Sequence, residues 1–255
     1  KNDDGIYINW PAMITIKYPW QSNEEFSQMQ DRTEKELQTI YSLFKDAKAY
    51  HESAATEANL RFEAVRGLFT GTKKLYVKAD DAKAIQSAIL FCKENNLKMV
   101  LVGGNKALMV APLLRENNIP VVVDRTHNLP GASDEDVDQP YKLPYLLKKE
   151  GILCAVHVDG FWQQRNLPFN AGTTAAYGLT KEEALQTITL NAATILGIEK
   201  ITGSIEVGKD ANLFISTGDA LDMRTNNVEH AYVLGKDIQL TNVQTELYQR
   251  YMQKF

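Results

Sequence analysis

Histidine and cysteine are scarce: 255 residues carry four histidines and two cysteines. Cys92 and Cys154 sit in separate apolar runs with no Cys-x-x-Cys spacing, which excludes a thiolate zinc site and reads as two buried free thiols. An excess of positive charge is also missing. The formal net charge is −4, and aromatics, at 9%, have no basic stripe among them, which argues against nucleic acid or an anionic membrane as partner. No apolar run is long enough to span a bilayer, and no signal-peptide pattern is present. "VGGN" (102–105) could cradle an anion with its amides, but the full Gly-x-Gly-x-x-Gly of a nucleotide fold is absent.

Hydrophobic residues at 44% and charged residues at 24% are ordinary for a globular chain of this length, which can bury a sizeable core in one large domain or two modest ones. The chain begins "KNDDGIYINW" without methionine. That start fits a processed product or a piece of something longer, and an exported or periplasmic protein is compatible with it.

Residues 1–22 hold "IYINW" and "MITIKY", broken by Pro11 and Pro19, and read as irregular or edge-strand material. A long charged helix follows, capped by Ser22 or Asn23, then a second from about Glu57 to Leu68 closed by Gly71. From residue 73 the period changes. "KLYVK", "KMVLV", "IPVVV" and "ILCAVHV" alternate with helical stretches, which predicts about four βα units around a parallel sheet. A Pro-, Gly- and Asp-dense loop (124–140) interrupts them. Later helices fall around Thr173–Tyr177 and from Lys181, where Thr180 and Glu183 form a capping box. "GSIEVGKDANLFIS" and "HAYVLGKDIQL" then read as short alternating strands, and "TNVQTELYQRYMQKF" as a closing helix.

In "LYVKADDAKAI" (75–85), Lys78 stands at the carboxyl tip of a strand, where parallel α/β proteins place reacting groups. A lysine there is a catalytic amine, a replacement for something lost, or a solvated charge. Catalysis by its amine needs a depressed pKa, hence burial or a cationic neighbour.

"TKEEALQTITLNAATILGIEKITGSIEVGKDANLFISTGDALD" resembles the closing signature of the amidohydrolase superfamily, close to its imidazolonepropionase-like branch. Ala184, Thr189, Asn191, Ala192, Gly197, Gly203, Gly208, Lys209, Asp210 and Ala211 fall in step with it. Weaker similarity runs back to about residue 30. The resemblance implies the C-terminal half of a (β/α)8 TIM-type barrel with a metal centre at the strand ends, plus a small all-β domain. The expected division is a partial barrel over 1–200, a β domain over 201–242 and a terminal helix over 243–255.

The same resemblance tests the metal ligands one by one. No His-x-His pair is present, Lys78 stands at a ligand histidine's position, and "LVGGNKA" puts Asn105 and its glycines where another histidine belongs. Asp159 falls on the aspartate at the end of the last barrel strand. The implied cofactor is one divalent metal such as zinc, with Asp159 as ligand or general base, and His157, two residues earlier on the same strand face, and His127 as its assistants.

His127 ("DRTHNLPG") is a rim candidate for substrate, or a hydrogen-bonded loop histidine. Arg125 and Arg165 could hold a substrate carboxylate or pin loops to carbonyls. Phe161 and Trp162 could wall a pocket or pack a loop. The expected function is hydrolysis of a C–N bond in a small molecule. The alternative is a non-catalytic binding or scaffold protein that keeps the fold. A half-barrel leaves two sheet edges open, so an N-terminal half of the same protein, carrying strands one to four, or a second copy is the expected partner.

Overall fold

The computed structural model describes residues 5–13, 19–53, 57–131 and 135–253. Most of "MITIKY" (14–18) therefore lies outside the described residues, as does 132–134 within the polar loop.

The chain opens with strand β1 (Gly5–Asn9). Helix α1 (Asn23–Glu52) starts at Ser22, whose hydroxyl accepts from the Glu25 amide while the Glu25 carboxylate accepts from the Ser22 amide. The pair satisfies two donors that a helix N-terminus would leave exposed. Helix α2 (Leu60–Phe69) is capped by Asn59. There follow β2 (Lys74–Ala79), α3 (Ala82–Glu94), β3 (Met99–Gly103), a 3-10 turn leading into α4 (Ala111–Glu116), β4 (Val121–Val123), α5 (Gln139–Lys149) and β5 (Cys154–Val156).

These five strands form one parallel sheet in the order β1-β2-β3-β4-β5. The N-terminal segment, broken by prolines, thus supplies a fifth strand beyond the four βα units expected, with Asn9 in register with Lys78. Parallel strands need a crossover on a sheet face, and α1 to α5 all pack on one face. There Leu75, Val77, Leu101, Val121 and Val123, each at most 2% exposed, meet Phe44, Leu68, Ile85, Leu114 and Leu147. Each such side chain contributes about 1.5–3 kcal/mol of burial.

Helices α6 (Leu167–Ala176), α7 (Lys181–Gln186) and α8 (Leu190–Leu196) follow β5, and α7 carries the expected Thr180–Glu183 capping box. The opposite sheet face bears Tyr76, Val100, Val122 and Ala155, and α8 covers it with Ala192 and Ile195. The segment around α8 also meets the outer edge of β5. The Val156 amide donates to the Thr187 carbonyl (3.1 Å), and the Asn191 side-chain amide donates to the Cys154 carbonyl (2.9 Å). The expectation of two open sheet edges is corrected here: the β5 edge is covered by the chain's own α7–α8 link.

Strands β6 (Leu213–Ser216), β7 (Val228–Val233) and β8 (Lys236–Asp237) make a separate antiparallel sheet, and α9 (Val243–Met252) ends the described chain. Leu234 and Gly235, both at positive φ (52° and 75°), turn the chain between β7 and β8. The turns expected at Gly203, Gly208 and Lys209–Asp210 are present, but "SIEV" between them, expected as strand, forms none. Gly203 and Gly208 both adopt positive φ, and Lys209 folds back on Ser204 and Glu206. No described residue from Leu196 onward is buried. No described helix is long and apolar enough to cross a membrane.

Candidate metal-binding site at the strand ends

The carboxyl ends of the strands bring together residues remote in sequence. Lys78 projects from β2, Asp124 follows β4, and His157 and Asp159 follow β5. The expectation that His157 and Asp159 share a strand face is corrected: β5 ends at Val156, and both lie in the loop beyond it. The loop still brings them together, with His157 Nδ1 3.6 Å from Asp159 Oδ1. On its other side, His157 Nε2 lies 2.6 Å from Asp124 Oδ1. Lys78 Nζ completes the row, 3.5 Å from Asp159 Oδ2.

The charges reinforce one another. The hydrogen bond from His157 is the main cause holding the Asp124 carboxyl below the usual carboxylate range. The His157, Lys78 and Arg125 charges add to it, against burial. For Lys78, burial works against the charged form, but Asp124, Tyr7 and Asp159 outweigh it and raise the pKa. The shift therefore runs opposite to the depressed pKa that a lysine base needs. Burial raises the pKa of Tyr7, on β1, with Asp159, Asp124 and Asp80 pushing the same way against Lys78. Burial also raises Asp80, partly offset by the amides of Asn105 and Gly104.

Asp124, His157 and Asp159 each offer a ligand atom, all within 4.8 Å of one another. Two carboxylate oxygens and an imidazole nitrogen form a donor set that a divalent ion accepts. If Nε2–H is given to Asp124, the Nδ1 lone pair is left facing Asp159, which is how a carboxylate orients a ligating histidine. Asp124 was not singled out from sequence. The signal was available: it directly follows the buried run Val121–Val123, at the same kind of strand tip that drew attention to Lys78.

The other candidates divide. Arg125 and Asn128 line a recess of about 260 Å³ together with Asp124 and Asp159. Asn105 works through its backbone, whose amide donates to Asp80 Oδ1 (3.3 Å), and the loop closes against Gly103. A Cβ at Gly103, whose φ is +86°, would meet Asp80 Oδ1 at 2.5 Å. His127 is turned away from the acidic group. Its Nε2 lies 2.5 Å from Thr173 Oγ1, and its amide donates to Asn170 Oδ1 (3.0 Å). Burial lowers its pKa. Arg165 sits in a short 3-10 turn, Gln164–Asn166, and no contact among the described residues joins it to the acidic group. Phe161 and Trp162 are 82% and 69% exposed and stack edge-on against each other, so they wall no enclosed pocket.

A parallel βα sheet with an acid–imidazole group at its strand ends, beside a small antiparallel sheet, is the architecture of metal-dependent hydrolases built on a (β/α)8 barrel. The chain belongs to the amidohydrolase family, whose sequence profile matches residues 33–238. Among solved structures, an amidohydrolase from Thermotoga maritima MSB8 is similar with a TM-score of 0.72 at 25% identity, over 94% of this chain and 63% of that one. A Xaa-Pro dipeptidase with bound methionine gives 0.54 at 18% identity, over 92% of this chain and 54% of that one. A prolidase complexed with N-methylphosphonate-L-proline gives 0.54 at 18%, over 73% and 50%. The chain thus spans less than two thirds of the length of each of these relatives. No curated protein matches it.

Proposed function

We propose that this chain carries part of the active site of a hydrolase that cleaves a C–N bond in a small molecule, linear or cyclic, using one divalent ion such as zinc. The observation that carries the reading is the convergence of Asp124, His157 and Asp159 at the strand ends. A bound ion would supply Lewis-acid polarisation and make a water more acidic. The chain's own groups do the rest. Asp124 and His157 would hold the ion, and Asp124 also fixes the tautomer and orientation of His157. Asp159, with its side chain 75% exposed toward the recess, takes a proton from water and returns it to the leaving nitrogen. Lys78, held protonated, stabilises negative charge developing on the carbonyl oxygen.

The Lys78 ammonium also limits the site. It already balances part of the acidic charge, so the site suits a single ion rather than a pair. The N-terminal half of the same protein, or a second copy, supplies the remaining strands in this reading, adding on the β1 side of the sheet because the α7–α8 link holds the β5 edge.

The test is zinc and manganese titration by calorimetry, then hydrolysis of linear and cyclic amides with the loaded protein. Stoichiometric binding lost in His157→Ala, together with turnover, supports the reading. A folded protein that binds neither ion favours the second one, a non-catalytic binding protein, for which the Lys78–Asp159 contact is the supporting observation.

A further inference from the structure

Three inward-facing residues of β2 lie in line: Lys74, Tyr76 and Lys78, spaced by the two-residue period of a strand. The last reaches Asp159 at the carboxyl end of the sheet (3.5 Å). The first two reach α8 at the other end. Lys74 Nζ donates to the Ile195 carbonyl (2.6 Å), and the Tyr76 hydroxyl approaches the same oxygen (3.4 Å). At its opposite end the α8 segment holds β5, through Asn191 on the Cys154 carbonyl and the Thr187 carbonyl on the Val156 amide. Between these anchors, Ile195 is buried against Val100 and Ala155.

One short segment therefore spans the sheet from β5 to β2, two strands that share no backbone pairing. The hydrogen bonds of neighbouring strands set twist, but how far an open sheet curls depends on what packs in its concave face. We infer that the Thr187–Ile195 segment is a strap that sets the curvature of this sheet, and that Asn191, Lys74 and Tyr76 are positioning residues that bring Lys78 to Asp159. Two ties close the same gap, one at each end of the strands. A flatter sheet would carry β2 away from β5 and open the upper contact. The curvature claim stands on geometry alone; its bearing on catalysis rests on the hydrolase reading above.

The experiment places nitroxide labels at Asn9→Cys on β1 and Phe161→Cys beyond β5, both exposed positions on opposite sides of the mouth. Burial pushes the Cys92 and Cys154 thiols up to about 12, so they stay unlabelled. Double electron–electron resonance is read without metal or substrate, in the labelled parent, in Asn191→Ala, and in Lys74→Met with Tyr76→Phe. The expected result in either variant is a shift of the distance distribution to longer values, with broadening, and restoration of the parent distribution by Lys74→Arg. A variant that is folded by circular dichroism but keeps the parent distribution overturns the strap. So does a lowered melting temperature with an unchanged distance, because that marks ordinary packing. If Asn191→Ala does not fold, the milder Lys74→Met and Tyr76→Phe pair decides.

Zinc titration of the same proteins tests the link to the site, where several-fold tighter binding in the variants is expected, because a β2 drawn away from β5 takes the competing Lys78 ammonium off Asp159. Movement with unchanged zinc affinity overturns the positioning role. If the parent binds no zinc, the hydrolase reading fails alone, and the distances still decide the curvature claim.

Discussion

Lys78 and Asp159 meet at 3.5 Å although one stands on β2 and the other in the loop after β5, three positions away in the sheet and 81 residues away in the chain. The ammonium lies on the carboxylate that the metal reading needs. Cation and metal should therefore compete. Lys78→Met is expected to tighten zinc binding by roughly tenfold, because a like charge a few ångströms away costs on the order of 1 kcal/mol or more. Calorimetric titration checks it. Weaker binding in the variant would show that the lysine supports the ligands instead of competing with an ion.

Asp124→Asn tests the opposite side of His157. The hydrogen bond from His157 is the main cause holding the Asp124 carboxyl below its ordinary pKa. A depressed acid stabilises the fold above the unfolded pKa, and that contribution is lost as pH falls through the folded pKa. The variant should be less stable than the parent at neutral pH, with the difference shrinking under acid conditions. Urea melts at pH 7 and at pH 3 read this directly. A constant difference between the two would remove Asp124 from the acid response.

Asp80 carries the opposite sign. Burial raises its pKa, so its ionised form costs stability at neutral pH, and the cost falls as pH drops through the raised value. Asp80→Asn keeps an oxygen for the Asn105 amide while removing the charge. Stability at pH 7 is expected to hold or rise by about 0.5–1 kcal/mol. A loss of more than that would mean the charge is needed by Lys78 and the neighbouring loop.

Asn170 is 2% exposed and holds the chain beyond β4. It accepts from Thr126 and from the His127 amide, and it donates to the Asn166 carbonyl (2.9 Å). Asn170→Ala removes these three side-chain bonds while Thr126 keeps its 2.8 Å bond to the main-chain carbonyl of residue 170, and should cost about 1–2 kcal/mol in chemical denaturation. A neutral outcome would mean water replaces it.

Much of this architecture was legible because its signals are local. The boxes at Ser22–Glu25 and Thr180–Glu183, the apolar runs of β2 and β3, and the αL glycine Gly71 each depend on a few adjacent residues. What was missed depends on partners. Only three residues of "ILCAVHV" become strand, because β4 offers only Val121–Val123 to pair with. β1 is the edge strand that the first segment allowed, but it is short and bounded by Pro11, so its pairing to β2 depended on the rest of the sheet. Asp124 directly follows an apolar strand, but only its folded position beside His157 marks it as part of the site, while the ring of the more conspicuous His127 turns to Thr173. The place of α8 on the inner sheet face follows from no pattern in "LNAATIL"; only Ile195 and its carbonyl, once folded, show what the segment grips.

The bonds from Cys154 and Val156 to Asn191 and Thr187 have a bearing on aggregation as well. A sheet with two bare margins can stack end to end without limit, which is how strand-edge fibres grow. Here one margin is blunted by the molecule's own backbone and amide groups. Growth by pairing through the five-stranded sheet has at most one side left, so two copies joined there would exhaust it. Contact through that sheet ends in a closed pair.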